Sequence, residues 1–332
     1  MVPLSTRDTT QRGGLSVFNQ IATIMMGGIL VALIFPMVIM PAIGVDKHKW
    51  IILMGVLSIM ALPLTLLEYY FTKERVTEET QEEANDSVSF KTQLKAIFTD
   101  KYMIIIYVYF LIYTFGSSIK NMSLVYFCNY VLGTYNDGKT QTLLSVIGGI
   151  PMGIGIFAVW PIAKKIGKRN ATLAGFILYS IGSAICWMFS KNLTIMLIGQ
   201  FIKNIGGLPC AYVFMALFAD ALDHLEWKTG FRSDGTAMSI YNIIAVTMVG
   251  VCQGIFNGML SHAGYVTPEL VNGQTIAAIQ PEAVQSVITF GFVGLESVTG
   301  IIMAILLSFL NVEKGLDKKQ QKIKERHAKG QR

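Results

Sequence analysis

Asp220-Ala-Leu-Asp-His-Leu-Glu-Trp-Lys-Thr-Gly-Phe-Arg-Ser-Asp-Gly235 separates two long apolar runs, 193–218 and 237–261. Six charged residues crowd this short stretch: Asp220, Asp223, Glu226, Lys228, Arg232 and Asp234. Such an abrupt edge of hydrophobicity marks where one helix leaves a bilayer and the next enters it. Asp220 and Asp223 stand one helical turn apart, so they share a face, and Glu226 extends the stripe. Acids at the C-terminal end of a helix oppose its macrodipole, so basic partners are expected. Arg232, Arg12 and Arg169 are the candidates. Opposite charges paired in this way can latch a helix seam that must open and close. A solvated loop is the plainer alternative, because surface charge runs are commonly just hydrated.

The 332-residue chain is 52% hydrophobic and only 14% charged, where soluble domains average about 25% charged. Mean hydropathy is +0.51. Apolar runs recur over roughly 15–40, 50–71, 102–128, 142–163, 171–189, 193–218, 237–261 and 285–310. Each is long enough for a hydrocarbon core of about 30 Å at about 1.5 Å per residue. The fold class is therefore all-α: a polytopic membrane protein with eight transmembrane helices.

Lys and Arg set the orientation. With the N-terminus inside, inner segments hold 21 of the 27 basic residues and outer loops hold four, Lys47, Lys49, Lys139 and Lys191. That imbalance places both termini in the cytoplasm. The net charge of +6 belongs to this asymmetry and does not suggest nucleic acid. Cys128, Cys186, Cys210 and Cys252 lie in or beside apolar runs without C-x-x-C spacing, which points to packing rather than to metal or disulfides. Neither H-E-x-x-H nor G-x-S-x-G occurs, so an intramembrane enzyme is disfavoured.

Three ionisable residues fall inside spans: Lys120, Lys203 and Glu296. Each costs at least ~2.5 kcal/mol at the bilayer centre, so each should face the bundle interior or water. One reading makes them cavity residues. The other makes them a buried structural pair, such as Lys203 with Glu296.

The pattern D-x-x-D-x-x-E-x-x-T-G-x-R-x-x-G over 220–235 resembles the loop between helices ten and eleven of the glycoside–pentoside–hexuronide:cation symporters. These are sugar carriers of the major facilitator superfamily. Pro3, Asp8 and Arg12 match the P-x-x-x-x-D-x-x-x-R of the family's loop between helices four and five. Pro161-Ile-Ala-Lys-Lys-Ile-Gly-Lys-Arg-Asn-Ala-Thr172 is similar to the loop between helices eight and nine, where basic residues cap neighbouring helix ends.

The resemblance implies a major facilitator fold lacking its first four helices. Residues 1–71 would be the remnant of an N-terminal bundle, 72–100 a cytoplasmic linker, 101–311 the C-terminal six-helix bundle and 312–332 a basic cytoplasmic tail. It implies cation-coupled symport of a sugar or glycoside across the bacterial cytoplasmic membrane by alternating access. Asp220, Asp223, Glu226, Arg232, Arg12 and Arg169 would form a cytoplasmic gate. Because helices seven and ten line the cavity in such carriers, Lys120, Asn121, Gln200 and Lys203 are expected at the substrate. Tyr113, Tyr241 and Asn242 join them, since sugar sites pair aromatic faces with amide and hydroxyl groups. Two cavity lysines favour an anionic or heavily hydroxylated substrate.

No covalently bound cofactor is expected. The Na⁺ or H⁺ site would lie mostly in helices ahead of this chain. Partners would be the sugar, the lipid bilayer and a missing N-terminal half, so the alternative is a transport-incompetent fragment or half of a split carrier. Two positions depart from the family. Asn19 and Val246 stand where relatives often carry Arg and Lys, and Lys120 and Lys203 could compensate.

Overall fold

A computed structural model of the chain describes residues 34–44, 46–71, 88–135, 137–271, 274–313 and 315–328. In chain order the helices are α1 (Met40–Ile43), α2 (Lys47–Phe71), α3 (Phe90–Thr99) and α4 (Lys101–Tyr126). Next come α5 (Gly138–Ile166), α6 (Lys168–Met188), α7 (Leu193–Thr229) and α8 (Asp234–His262). A small antiparallel hairpin follows, β1 (Glu269–Val271) against β2 (Gln274–Ile276), with Leu270 opposite Thr275. The chain ends in α9 (Glu282–Thr289), α10 (Leu295–Ser308) and α11 (Leu316–Ala328).

Among the described residues, six helices are long and apolar enough to cross a membrane. They are α2, α4 with its extension to Val131, α6, α7, α8 and the continuous run from α9 through α10. The expected span 142–163 lies within α5. The expected span 15–40 lies largely outside the described residues.

The chain divides into two compact units. The first holds α1, α2, residues 136–142 and the hairpin. The second holds residues 88–135, 143–266 and 279–332. Within the first, Trp50 Nε1 donates to Gly44 O at 2.9 Å and stacks obliquely on Phe35, which ties α2 to the preceding turn.

In the second unit, local chemistry sets the helix ends. Asp100 N-caps α4 by accepting from Tyr102 N and Met103 N, satisfying donors that have no intrahelical partner. Asn192 does the same for α7 through Ile195 N. Gly230 closes α7 in the left-handed region (φ 83°), a conformation that a Cβ penalises.

Helices α6 and α7 cross at close range. Glycines seven apart on each helix meet: Gly175 and Gly182 against Gly199 and Gly206. A Cβ on Gly206 would collide with Tyr179 N and stand 2.5 Å from Gly175 O. Small residues at such a seam let two backbones touch, the packing that membrane helices favour in the absence of a hydrophobic drive between them.

Two apolar clusters fill the unit. One, toward the Lys- and Arg-rich end, gathers Tyr109, Phe110, Phe176, Phe214 and Phe218. The other gathers Ile119, Phe127, Met196, Phe256 and Phe292. Phe127 and Phe292 stack at 4.6 Å. They lie in π-helical turns, Phe127–Val131 and Phe290–Gly294.

Two segments outside the apolar runs are helical as well. The expected linker contains a helix: Phe90–Thr99 folds as α3 because it has a surface to pack on. Ile97 is fully buried and Gln93 Oε1 accepts from Thr236 Oγ1 at 2.5 Å. Residues 72–87, the rest of that expected linker, lie outside the described residues. The basic tail is also helical over Leu316–Ala328, because it has polar partners to fold against.

Candidate functional site

A polar layer lies between the two apolar clusters. Lys203 sits on α7 between Met196 of one cluster and Leu208 of the other. Glu296 on α10 is flanked in the same way by Val293 and Met303. Lys203 Nζ donates to Glu296 Oε2 at 2.6 Å, with side chains only 1% and 4% exposed. Tyr179 on α6 donates its hydroxyl to the other carboxylate oxygen, Oε1, also at 2.6 Å. The Lys203 ammonium lies 5.7 Å from the Tyr179 ring centroid. Three helices are thus joined through one desolvated carboxylate. Lys203 is ten residues into α7, about 15 Å along it, which is midway across a core of about 30 Å.

Lys120 on α4 lies within electrostatic reach of both Lys203 and Glu296. No ion pair joins it among the described residues. Gln200 is buried one turn before Lys203, and its Nε2 has no hydrogen-bond partner among the described residues. Tyr113 lies near Glu296 and Cys210. Lys120, Gln200, Lys203 and Tyr113 therefore converge on this layer. Of the other expected substrate residues, Tyr241 lies beside Tyr113. Asn121 and Asn242 are exposed, and Tyr241 stacks on Phe110 at 4.1 Å within the aromatic cluster. Ser183 and Ser297 belong to the layer too, each donating to a backbone carbonyl across a helix seam.

The charged stretch 220–235 forms a second constellation at the basic end. Helix α7 runs 37 residues to Thr229, which keeps Asp220, Asp223 and Glu226 on one stripe. Asp220 is held by Lys168, whose Nζ reaches Oδ1 at 2.7 Å and Oδ2 at 2.5 Å. Asp223 Oδ2 accepts from Gln320 Nε2 of α11 at 2.7 Å. Glu226 lies 3.6 Å from Arg232, which also bonds Asp234 at 2.7 Å. That bond raises the Arg232 guanidinium above its ordinary range. Arg169, expected as a partner for the acids, instead caps the C-terminal end of α10, donating to Leu307 O and Ser308 O. The reason is geometric: Gly167 turns the chain so that Lys168 faces α7 and Arg169 faces α10. Arg12 lies outside the described residues.

Asp100 carries no signal in the sequence as a gate residue, yet it belongs here. Besides capping α4, its buried carboxylate accepts from Lys228 at 3.1 Å and lies 3.5 Å from His224 Nε2. Lys319 of α11 contacts His224 Nδ1 at 2.9 Å. An ammonium can only donate, so Nδ1 accepts and the imidazole proton sits on Nε2, toward Asp100. Burial pushes the Lys319 ammonium below the ordinary lysine range, while Asp100 pulls it the other way. Arg326 Nη1 donates to Trp227 O at 2.9 Å. Replacing Asp100 by Ala should cost about 1–2 kcal/mol, the usual range for a lost N-cap. Thermal unfolding of the purified chain in detergent checks it, with Lys228→Ala, an exposed arm of the same network, expected to cost about 1 kcal/mol or less.

The family described as MFS/sugar transport protein matches residues 1–314. An isoprimeverose transporter of Lactiplantibacillus pentosus is 27% identical over 99% of this chain and 66% of its own length. An uncharacterized symporter of Bacillus subtilis (strain 168) is 24% identical over 83% of the chain and 58% of its own. A raffinose carrier protein of Pediococcus pentosaceus is 23% identical over 83% and 43% respectively. The chain thus spans less than two thirds of the length of these relatives. Apolar helices of membrane-crossing length and a family match over nearly the whole sequence agree: this multi-pass membrane protein belongs to the MFS/sugar transport protein family.

Proposed function

We propose that the chain works in cation-coupled uptake of a sugar or glycoside across the bacterial cytoplasmic membrane. Alternating access would be the mechanism, and both termini would lie in the cytoplasm. The observation that carries this reading is the ionisable layer of Lys120, Lys203, Glu296 and Tyr179 in the middle of a family-matched helical bundle. Charges at that depth are costly and mark substrate or ion pathways. Lys203 is neutralised by Glu296, so Lys120 is the group left to meet a sugar hydroxyl or an acidic group. At the basic end, Asp220 with Lys168 and Glu226 with Arg232 are pairs that a change of access can break and remake. The coupling ion is Na⁺ or H⁺.

The test is uptake by membrane vesicles from cells carrying the gene with its flanking DNA. Labelled isoprimeverose, raffinose and a glucuronide are offered under an imposed Na⁺ or proton gradient. The expected result is accumulation of one of them above vesicles from a deletion strain, raised several-fold by one gradient. Equal uptake by deletion and gene-bearing vesicles for every sugar and gradient overturns the reading.

A further inference from the structure

Helices α6 and α10 leave a lengthwise groove of about 510 Å³ on the outer face of the second unit. Its walls are Ile177 and Ile181 of α6 and Ile301 and Ile305 of α10, and Ala184 and Ala304 lie between them. The four isoleucines are each about half exposed, from 49% to 54%. Small residues set the groove's depth. Gly300 packs so tightly that a Cβ there would collide with Ser180 Oγ, so the Ser180 side chain rests directly on the α10 backbone beneath the isoleucine rims. The groove extends from Leu173 to Ala184 on α6. Eleven residues rise about 16 Å, half of a hydrocarbon core of about 30 Å. Its length is that of one leaflet.

Its end is marked by charge. Ser308 lines the groove and is also the residue whose carbonyl Arg169 caps. Arg169 uses two donors on Leu307 and Ser308. The rest of its five N–H groups take no partner among the described residues. Lys164 and Lys165, both exposed, precede it in the same link. Two acids are close and both are engaged: Glu313 by the Lys168 and Arg169 backbone amides, and Asp220 by the Lys168 ammonium. An apolar channel one leaflet long, ending at a cluster with basic charges to spare, matches a lipid with an anionic head. Arginine suits a phosphate because its donors are planar and forked.

We propose that this groove seats one acyl chain of an anionic phospholipid, with its phosphate at Arg169 and Lys165. Ser297 borders both the groove and the polar layer, but neither Lys203 nor Glu296 lines the groove, and the proposal does not depend on which sugar is carried.

Native mass spectrometry of the full chain tests this after exchange into detergent containing phosphatidylglycerol or phosphatidylcholine. Phosphatidylglycerol is expected to remain bound about tenfold more than phosphatidylcholine. Arg169→Gln should erase that preference, but it also uncaps α10. Lys164→Gln/Lys165→Gln, which disturbs no contact to the described residues, should therefore lower phosphatidylglycerol retention several-fold by itself, with an unchanged melting curve. Ala304→Trp, which fills the groove, should lower retention of both lipids. Equal retention of the two lipids by the native chain, or unchanged phosphatidylglycerol retention in the Lys164→Gln/Lys165→Gln and Ala304→Trp variants, overturns the proposal. A lipid-free dimer that Ala304→Trp dissociates would overturn it too, by showing a second copy in the groove.

Discussion

Lys203→Met should destabilise the chain by about 3–5 kcal/mol, the cost of leaving a buried carboxylate without its cation. In a detergent melt this corresponds to a fall of roughly 10 °C. Lys120 lies within electrostatic reach of Glu296 but makes no ion pair with it among the described residues, and the second carboxylate oxygen is already taken by Tyr179 at 2.6 Å. Lys203→Met/Glu296→Leu should recover most of the loss, because an apolar pair of similar volume is often as stable as the ion pair. The recovery stops short, since Tyr179 then has a buried hydroxyl without an acceptor, worth about 1–3 kcal/mol. Adding Tyr179→Phe should restore native stability. If Lys203→Met melts like the native chain, the pair is not desolvated as the geometry shows. A stable triple variant separates two roles. Transport retained by it would make the layer structural; transport lost in a fully folded protein would make it part of the pathway.

The second large effect concerns two adjacent glycines. Gly206→Ala should strongly reduce the yield of folded, monodisperse protein, whereas Gly207→Ala should be tolerated. A Cβ at Gly206 meets backbone, running into Tyr179 N and lying 2.5 Å from Gly175 O, and neither can move without parting α6 from α7. Overpacking of this kind costs about 1–3 kcal/mol and sometimes more. At Gly207 the nearest atom is a Tyr179 ring carbon at 3.6 Å, an ordinary contact. The gain in helix propensity, about 1 kcal/mol over glycine, can then show. Fluorescence-detected size-exclusion profiles of tagged variants distinguish the two. Similar profiles for both would mean that the α6–α7 seam is looser than described.

Much of the architecture is legible because bilayer burial writes itself into hydropathy. The runs 50–71, 171–189 and 237–261 coincide with α2, α6 and α8 to within a few residues. Elsewhere the physics differs. The run 193–218 ends where lipid burial ends, but hydrogen bonding carries α7 on to Thr229. Hydropathy cannot see that continuation, although the spacing of Asp220, Asp223 and Glu226 does imply it. The π-helical turns at Phe127 and Phe290 leave no mark on hydropathy, since they alter register and not composition.

At the candidate site, single residues are easier to find than partners. Lys203 and Glu296 stand out as charges in apolar runs, and their pairing is one of two readings. Tyr179 does not stand out, because an aromatic in a span is usually packing. Lys168 and Arg169 are adjacent basic residues, and only the turn at Gly167 decides which meets Asp220. The tail's role is illegible for a related reason. Gln320 and Lys319 find Asp223 and His224 nearly a hundred residues away, and no local pattern encodes such a contact.

The most direct test of the account is the sidedness of the charged stretch. Gly235 is exposed, a Cβ there would have no neighbour within 4 Å, and all four native cysteines are buried. Gly235→Cys can therefore be probed in cells with a membrane-impermeant maleimide, beside Lys191→Cys in a loop expected outside. Labelling of Lys191→Cys in intact cells, and of Gly235→Cys only after permeabilisation, is the predicted result. Labelling of Gly235→Cys in intact cells would place the acidic stripe and its partners on the outer side and contradict the account.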